Sequence, residues 1–167
     1  MKQHTLLVHV GIPKTGTSAL QEFLYRNNEP LKEYGWSYPD LKNVIGKADS
    51  YFLEFMNATV LYKAENILDT HSENWIHSWD FLRKELTRYN VILSSEMMFT
   101  WGKIESFLEE VKREYQNIKV VIYLRRQDLF LESYWAQVVK ADNYVKSFEE
   151  SRQEFEQYTH YLDLLYS

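Results

Sequence analysis

Three short runs of apolar residues stand out against an otherwise mixed chain, and each is followed by a polar or glycine-bearing turn. Leu6-Leu7-Val8-His9-Val10 is closed by Gly11-Ile12-Pro13, Val91-Ile92-Leu93 runs into Ser94-Ser95, and Lys119-Val120-Val121-Ile122-Tyr123-Leu124 ends at a pair of arginines. Runs of this length, rich in β-branched residues and lacking polar alternation, read as buried strands. Helical spacing appears between them. Ala19, Leu20, Phe23 and Leu24 mark a helix from Thr17 to Asn27, which Asn27-Asn28-Glu29-Pro30 ends; Pro30 can open a further short helix. Gly35-Trp36-Ser37-Tyr38-Pro39 has the composition of a turn into a brief strand. Ile104, Phe107, Leu108, Val111 and Tyr115 form one face of an amphipathic helix. Leu129 to Lys140 and Phe148 to Leu165 read as two more helices, while Lys47 to Arg88 mixes helix and loop without clear boundaries.

Apolar strands alternating with helices predict an α/β fold, a three-layer α/β/α arrangement with a central parallel sheet covered on both faces. Residues 1–167 are expected to form a single domain. In such sheets ligands bind beyond the carboxyl ends of the strands, where all three polar turns fall.

Composition narrows the chemistry. The net charge of −5 provides no global basic field for nucleic acid, so any anion site has to be local. The absence of cysteine excludes disulfides, thiolate catalysis and cysteine-ligated metals. The apolar run before Gly11 is too short for a signal peptide or a membrane span, which makes a cytoplasmic location the default expectation. No His/Asp/Glu grouping has metal-ligand spacing, so no metal is expected.

Gly11-Ile12-Pro13-Lys14-Thr15-Gly16-Thr17-Ser18 lies between a strand and a helix. In that setting backbone N–H groups and the helix dipole bind phosphate, and the two glycines let the backbone approach the anion. The nucleotide-triphosphate loop Gly-x4-Gly-Lys-[Ser/Thr] has the same glycine spacing and final hydroxyl, but here Thr17 holds the lysine position and Lys14 lies inside the loop.

The stretch from His9 to Ser18 resembles the 5′-phosphosulfate loop of sulfotransferases that use 3′-phosphoadenylyl sulfate (PAPS), and is similar above all to their bacterial and carbohydrate-type branch. The resemblance implies a P-loop nucleotide-hydrolase-like fold. It also implies that Lys14 stabilises leaving-group charge and that Thr15, Gly16, Thr17 and Ser18 hold the 5′-phosphate. A second segment, Leu124 to Tyr134, is similar to the family's 3′-phosphate site, with Arg125 and Ser133 as the implied ligands. A guanidinium suits phosphate oxygens, and Ser133 lies roughly 7 Å along a helix that begins near Asp128. Arg126 is the alternative ligand. The resemblance spans the motifs of about the first 135 residues. Family members continue to a later basic, glycine-containing loop with no counterpart after Ser133, so the sequence reads as the N-terminal and central part of a longer family domain.

Transfer of a sulfuryl group also calls for a base near the acceptor. Glu96, after the second strand, is the first candidate; capping the next helix or pairing with a lysine is its alternative role. His9 is expected to pack beside the first strand, and His71 and His77 to lie on the surface. Trp36, Trp75, Trp79, Trp101 and Trp135 read as core before adenine platforms, and the Glu149–Glu156 run as a solvated helix face. The expected activity is sulfuryl transfer from PAPS to a hydroxyl or amine of a carbohydrate or small molecule, without nucleic-acid or membrane partners. The alternatives are a P-loop kinase acting on a small molecule with ATP and magnesium, and a non-catalytic nucleotide-binding fragment.

Overall fold

In the computed structural model the described residues are 4–11, 14–45, 55–58, 71–96, 98, 104–142 and 145–156. Their elements run in the order β1 (Leu6–Gly11), α1 (Thr17–Arg26), α2 (Asn28–Glu33), β2 (Trp36–Ser37), α3 (Leu41–Ile45), α4 (Glu73–Leu86) and β3 (Asn90–Ser94). They continue with α5 (Ile104–Lys112), β4 (Ile118–Tyr123), α6 (Gln127–Asp142) and α7 (Phe148–Glu156). The four strands form one sheet in the order β2-β3-β1-β4, with every pairing parallel. The fold is α/β and compatible with a three-layer α/β/α arrangement. The described structure divides into two compact units: the first carries β1 to β4 with α1 to α5, and the second carries Lys14, Thr15 and the chain from Leu124 onward.

The first two apolar runs become strands because their alternate residues find cover. Leu6 pairs with Val91 and Val8 with Leu93, and these four residues and Val10 are fully buried. Burying side chains of this kind contributes about 1.5–3 kcal/mol each. Ser72 caps α4 by accepting the Trp75 N–H, and Trp75 and Trp79 stack with ring centroids 5.8 Å apart. Phe107 of α5 is fully buried and meets Trp75 edge-on. Gly35, with φ at 76°, turns the chain from α2 into β2.

Two expectations change. The third apolar run, β4, pairs only with β1 among the described strands, and Val120 and Tyr123 are 39% and 40% exposed. Strand β4 is half-buried to exposed along its length, because a continuous β-branched run reports strand propensity as readily as burial. The other change concerns α1. Its buried positions are Thr17, Gln21 and Leu24, while the apolar Phe23 is 59% exposed. Helix α1 therefore presents a partly polar face to the interior, and that face positions the candidate site.

Element limits differ modestly. Helix α2 begins at Asn28, placing Pro30 within its first turn. Helix α5 stops at Lys112, and Tyr115 lies beyond it with its hydroxyl donating to the His4 carbonyl. Helix α7 is described to Glu156; the expected extension to Leu165, like Ile12, Pro13 and Trp101, lies outside the described residues.

Candidate functional site

In the first unit, parallel pairing continues just past the end of β3. The Ser95 N–H donates to the His9 carbonyl at 3.2 Å, so Glu96 leaves the sheet next to the carboxyl end of β1. Helix α1 starts there. Gly16 is its N-cap in the left-handed conformation, with φ 83° and ψ 11°, a backbone state that a residue with a Cβ adopts at a cost. Gly16 offers no side-chain cap, and no acidic residue stands in the first turn. Thr17, the first helical residue, is almost wholly buried, and its hydroxyl donates to the Glu96 carboxylate. A carboxylate at this position is favoured by the helix dipole. Ser18, one residue on, is exposed.

Beneath this pair lies a polar cluster that sequence reasoning missed except for His9. His9 and Ser94 face each other across the parallel ladder, and His9 Nδ1 lies 2.8 Å from Ser94 Oγ. Gln21 Nε2, one turn along α1 from Thr17, donates to the same oxygen at 2.9 Å. Ser94 Oγ thus bridges the imidazole and the Gln21 amide, as a hydroxyl with one proton and two lone pairs can. His9 Nε2 is buried and has no hydrogen-bond partner, and burial pulls the imidazole pKa below its usual value. The ring also meets Tyr123 edge-on at 4.6 Å. Asn57 adds a backbone clamp: its Oδ1 accepts the Ser94 N–H at 2.8 Å and its Nδ2 donates to the Ile92 carbonyl at 2.9 Å. Tyr38 is buried with its hydroxyl donating to the Phe55 carbonyl at 2.5 Å, and burial raises its pKa well above the phenol range. The sequence did contain one signal: Gln21 falls four residues after Thr17 and three before Leu24, on a single helical stripe.

In the second unit the structure joins two motifs that are 111 residues apart. Arg125 Nη1 donates to the Lys14 carbonyl at 2.6 Å. Lys14 has φ at 70°, the one positive value at a non-glycine residue among those described. Thr15 and Arg125 are both half-buried. Arg126 behaves differently. Its Nε and Nη2 hold the Asp128 carboxylate at 2.6 and 2.7 Å, both side chains are well exposed, and the pairing lowers the Asp128 pKa. Ser133 lies half-buried inside α6, which starts at Gln127, one residue from the expected position.

The secondary candidates separate by burial. His71 and His77 are exposed, Trp75 and Trp79 are core, and Trp36 and Trp135 are half-buried. In α7, Ser151 and Phe155 are buried while Glu149, Glu150, Arg152, Gln153 and Glu154 face solvent. Among the described residues no three His, Asp or Glu side chains converge as a metal site, and no helix is long and apolar enough to cross a membrane. No family model matches the chain, no curated protein is similar to it in sequence, and no solved structure matches its fold.

Proposed function

We propose that the chain is a PAPS-dependent sulfotransferase that moves a sulfuryl group to a hydroxyl or amine of a carbohydrate or small molecule. The observation that carries this reading is the contact between Lys14 and Arg125. These residues come from the two sequence segments that resemble a sulfuryl-donor site, and an ATP loop has no need of the second. Each unit, taken by itself, has features suited to an anion. In the first, Gly16 leaves the start of α1 without a side-chain cap and Ser18 is exposed at the first turn; in the second, Lys14 and Arg125 bring positive charge.

The donor supplies an activated sulfuryl group. Lys14 offsets the charge that develops on the departing phosphate as the sulfur–oxygen bond breaks. Thr15 to Ser18 bind the 5′-phosphate, and Arg125 and Ser133 bind the 3′-phosphate. Glu96 takes the proton of the acceptor hydroxyl or amine as its oxygen or nitrogen bonds to sulfur. A carboxylate so near the start of α1 also opposes a second anion there, so Glu96 disfavours the donor's ground state unless the acceptor's proton reaches it.

A second reading rests on the same carboxylate. An acidic residue at the end of the strand beside β1, bonded to a hydroxyl of α1, is also what a magnesium-nucleotide site uses, which would make the protein a P-loop kinase. Calorimetric titration with 3′-phosphoadenosine 5′-phosphate (PAP) and with ATP, each with and without magnesium, separates the two. Metal-independent binding of PAP with little binding of ATP is the expected result. Magnesium-dependent ATP binding would establish the kinase reading, and binding of neither would leave a scaffold.

A further inference from the structure

The turn that carries Lys14 is fastened by a side chain from far along the chain, and we infer from this that Arg125 is a positioning residue for Lys14. Phosphate ligation, the role that the sequence resemblance gives it, is then at most part of its work. The inference rests on the donor-site reading above and deepens it.

Three observations support it. Lys14 adopts φ 70°, a conformation that Cβ-bearing residues avoid because Cβ crowds the carbonyl, and that persists only where the surroundings hold it. The group that holds it is identifiable: the Lys14 carbonyl accepts a charge-assisted bond from Arg125 Nη1 at 2.6 Å. Moreover, Lys14 and Thr15 belong to the same compact unit as Arg125, whereas Gly11 before them and Gly16 after them belong to the other unit. The bond from Arg125 ties Lys14 to the segment that follows β4.

The geometry has a chemical consequence. The direction of the Lys14 side chain is set by its own φ and ψ. Relaxation to the right-handed region would swing the carbonyl off the guanidinium and carry Cβ, and with it the ammonium, to a different direction. Arg125 therefore selects the backbone state in which Lys14 is presented. A guanidinium has five N–H donors in a planar fork, so a bond to this carbonyl is compatible with phosphate ligation by the same side chain. Arg126, bonded to Asp128, takes no part and provides a matched control for loss of a neighbouring positive charge.

The test uses trypsin, which cuts after Lys14 only when the turn opens. Arg125→Ala is expected to speed cleavage at that bond by about tenfold relative to wild type, with cleavage after Lys32 in α2 as the internal reference for global opening. Arg126→Ala should leave the Lys14 rate unchanged. Equal rates after Lys14 in wild type and Arg125→Ala would overturn the inference. Kinetics provide the readout that a residue serving only as a ligand would not move. At saturating PAPS, Arg125→Ala should lower kcat by about tenfold or more, because Lys14 is misdirected in every bound complex. A rise in KM with kcat intact would assign Arg125 to ligation alone and overturn positioning. If the wild-type chain transfers no sulfate, the donor-site reading fails, and the cleavage comparison still decides whether Arg125 holds the turn.

Discussion

The two stretches of the loop between β1 and α1 are held by different physics. Gly16 and Thr17 are anchored in the first unit, where Thr17 meets Glu96 and its helix is tied to β3 through Gln21 and Ser94 in a buried polar cluster. Lys14 and Thr15 belong to the second unit, where the Lys14 carbonyl accepts a charge-assisted bond from a half-buried arginine. A buried network resists change because every orphaned member keeps its desolvation penalty. A single bond to a carbonyl can be lost with little cost to the core. Damage to the first stretch should therefore appear as lost stability, and damage to the second as lost presentation of Lys14.

The sharpest break in that contrast comes from Ser94→Ala. It removes the partner of both His9 Nδ1 and Gln21 Nε2, and an expected loss of about 2–4 kcal/mol should be visible in denaturant unfolding. A loss below about 0.5 kcal/mol would mean that the cluster is not what anchors α1. The next largest effect should be catalytic. Glu96→Gln keeps an acceptor for the Thr17 hydroxyl and removes the charge, so folding should be preserved. The kcat should fall by about 100-fold or more, while PAP binds as tightly as before or more tightly. An unchanged kcat would make Glu96 a partner for Thr17 and nothing more.

The smallest effect is a pH dependence in the first unit. Burial holds the folded-state pKa of His9 below its unfolded value, so the unfolded chain binds the proton more readily. This contribution to stability is present above about pH 6.5 and is lost as the pH falls through the lowered folded-state value. The carboxylates with lowered values, Glu114, Asp128 and Glu150, act at more acidic pH, below their ordinary range. His9→Gln should flatten the slope of stability against pH below about 6.5. An unaltered slope would place the titrating group elsewhere.

What could be read from sequence follows the same division. The strands β1 and β3, the short β2 after Gly35 and the start of α1 at Thr17 were legible because apolar runs and glycine turns signal them directly. The buried polar stripe of α1 was not, since Thr17 and Gln21 look like solvent-facing residues and the apolar Phe23 draws attention to the wrong side. Asn57 gave no periodic signal that would tie it to Ser94. The partial exposure of β4 was hidden because its run of Val and Ile is as apolar as that of a central strand. At the candidate site, Lys14 and Arg125 were singled out through the resemblance of their segments, and Glu96 through its place after the second strand. Their relations were not: the left-handed backbone of Lys14, its capture by Arg125 and the Thr17–Glu96 pair depend on three-dimensional proximity over 79 and 111 residues.

The loop between β1 and α1 looks at first like a nucleotide loop with a misplaced lysine, and the 3′-phosphate is what distinguishes the proposed donor from ordinary adenine nucleotides. The most direct test is therefore a side-by-side titration of the wild-type chain with PAP and with adenosine 5′-monophosphate, which differ only in that group. PAP should bind at least about tenfold more tightly, as a charge-assisted contact to one added phosphate would give. Equal affinity for the two would contradict a site built for a 3′-phosphorylated donor.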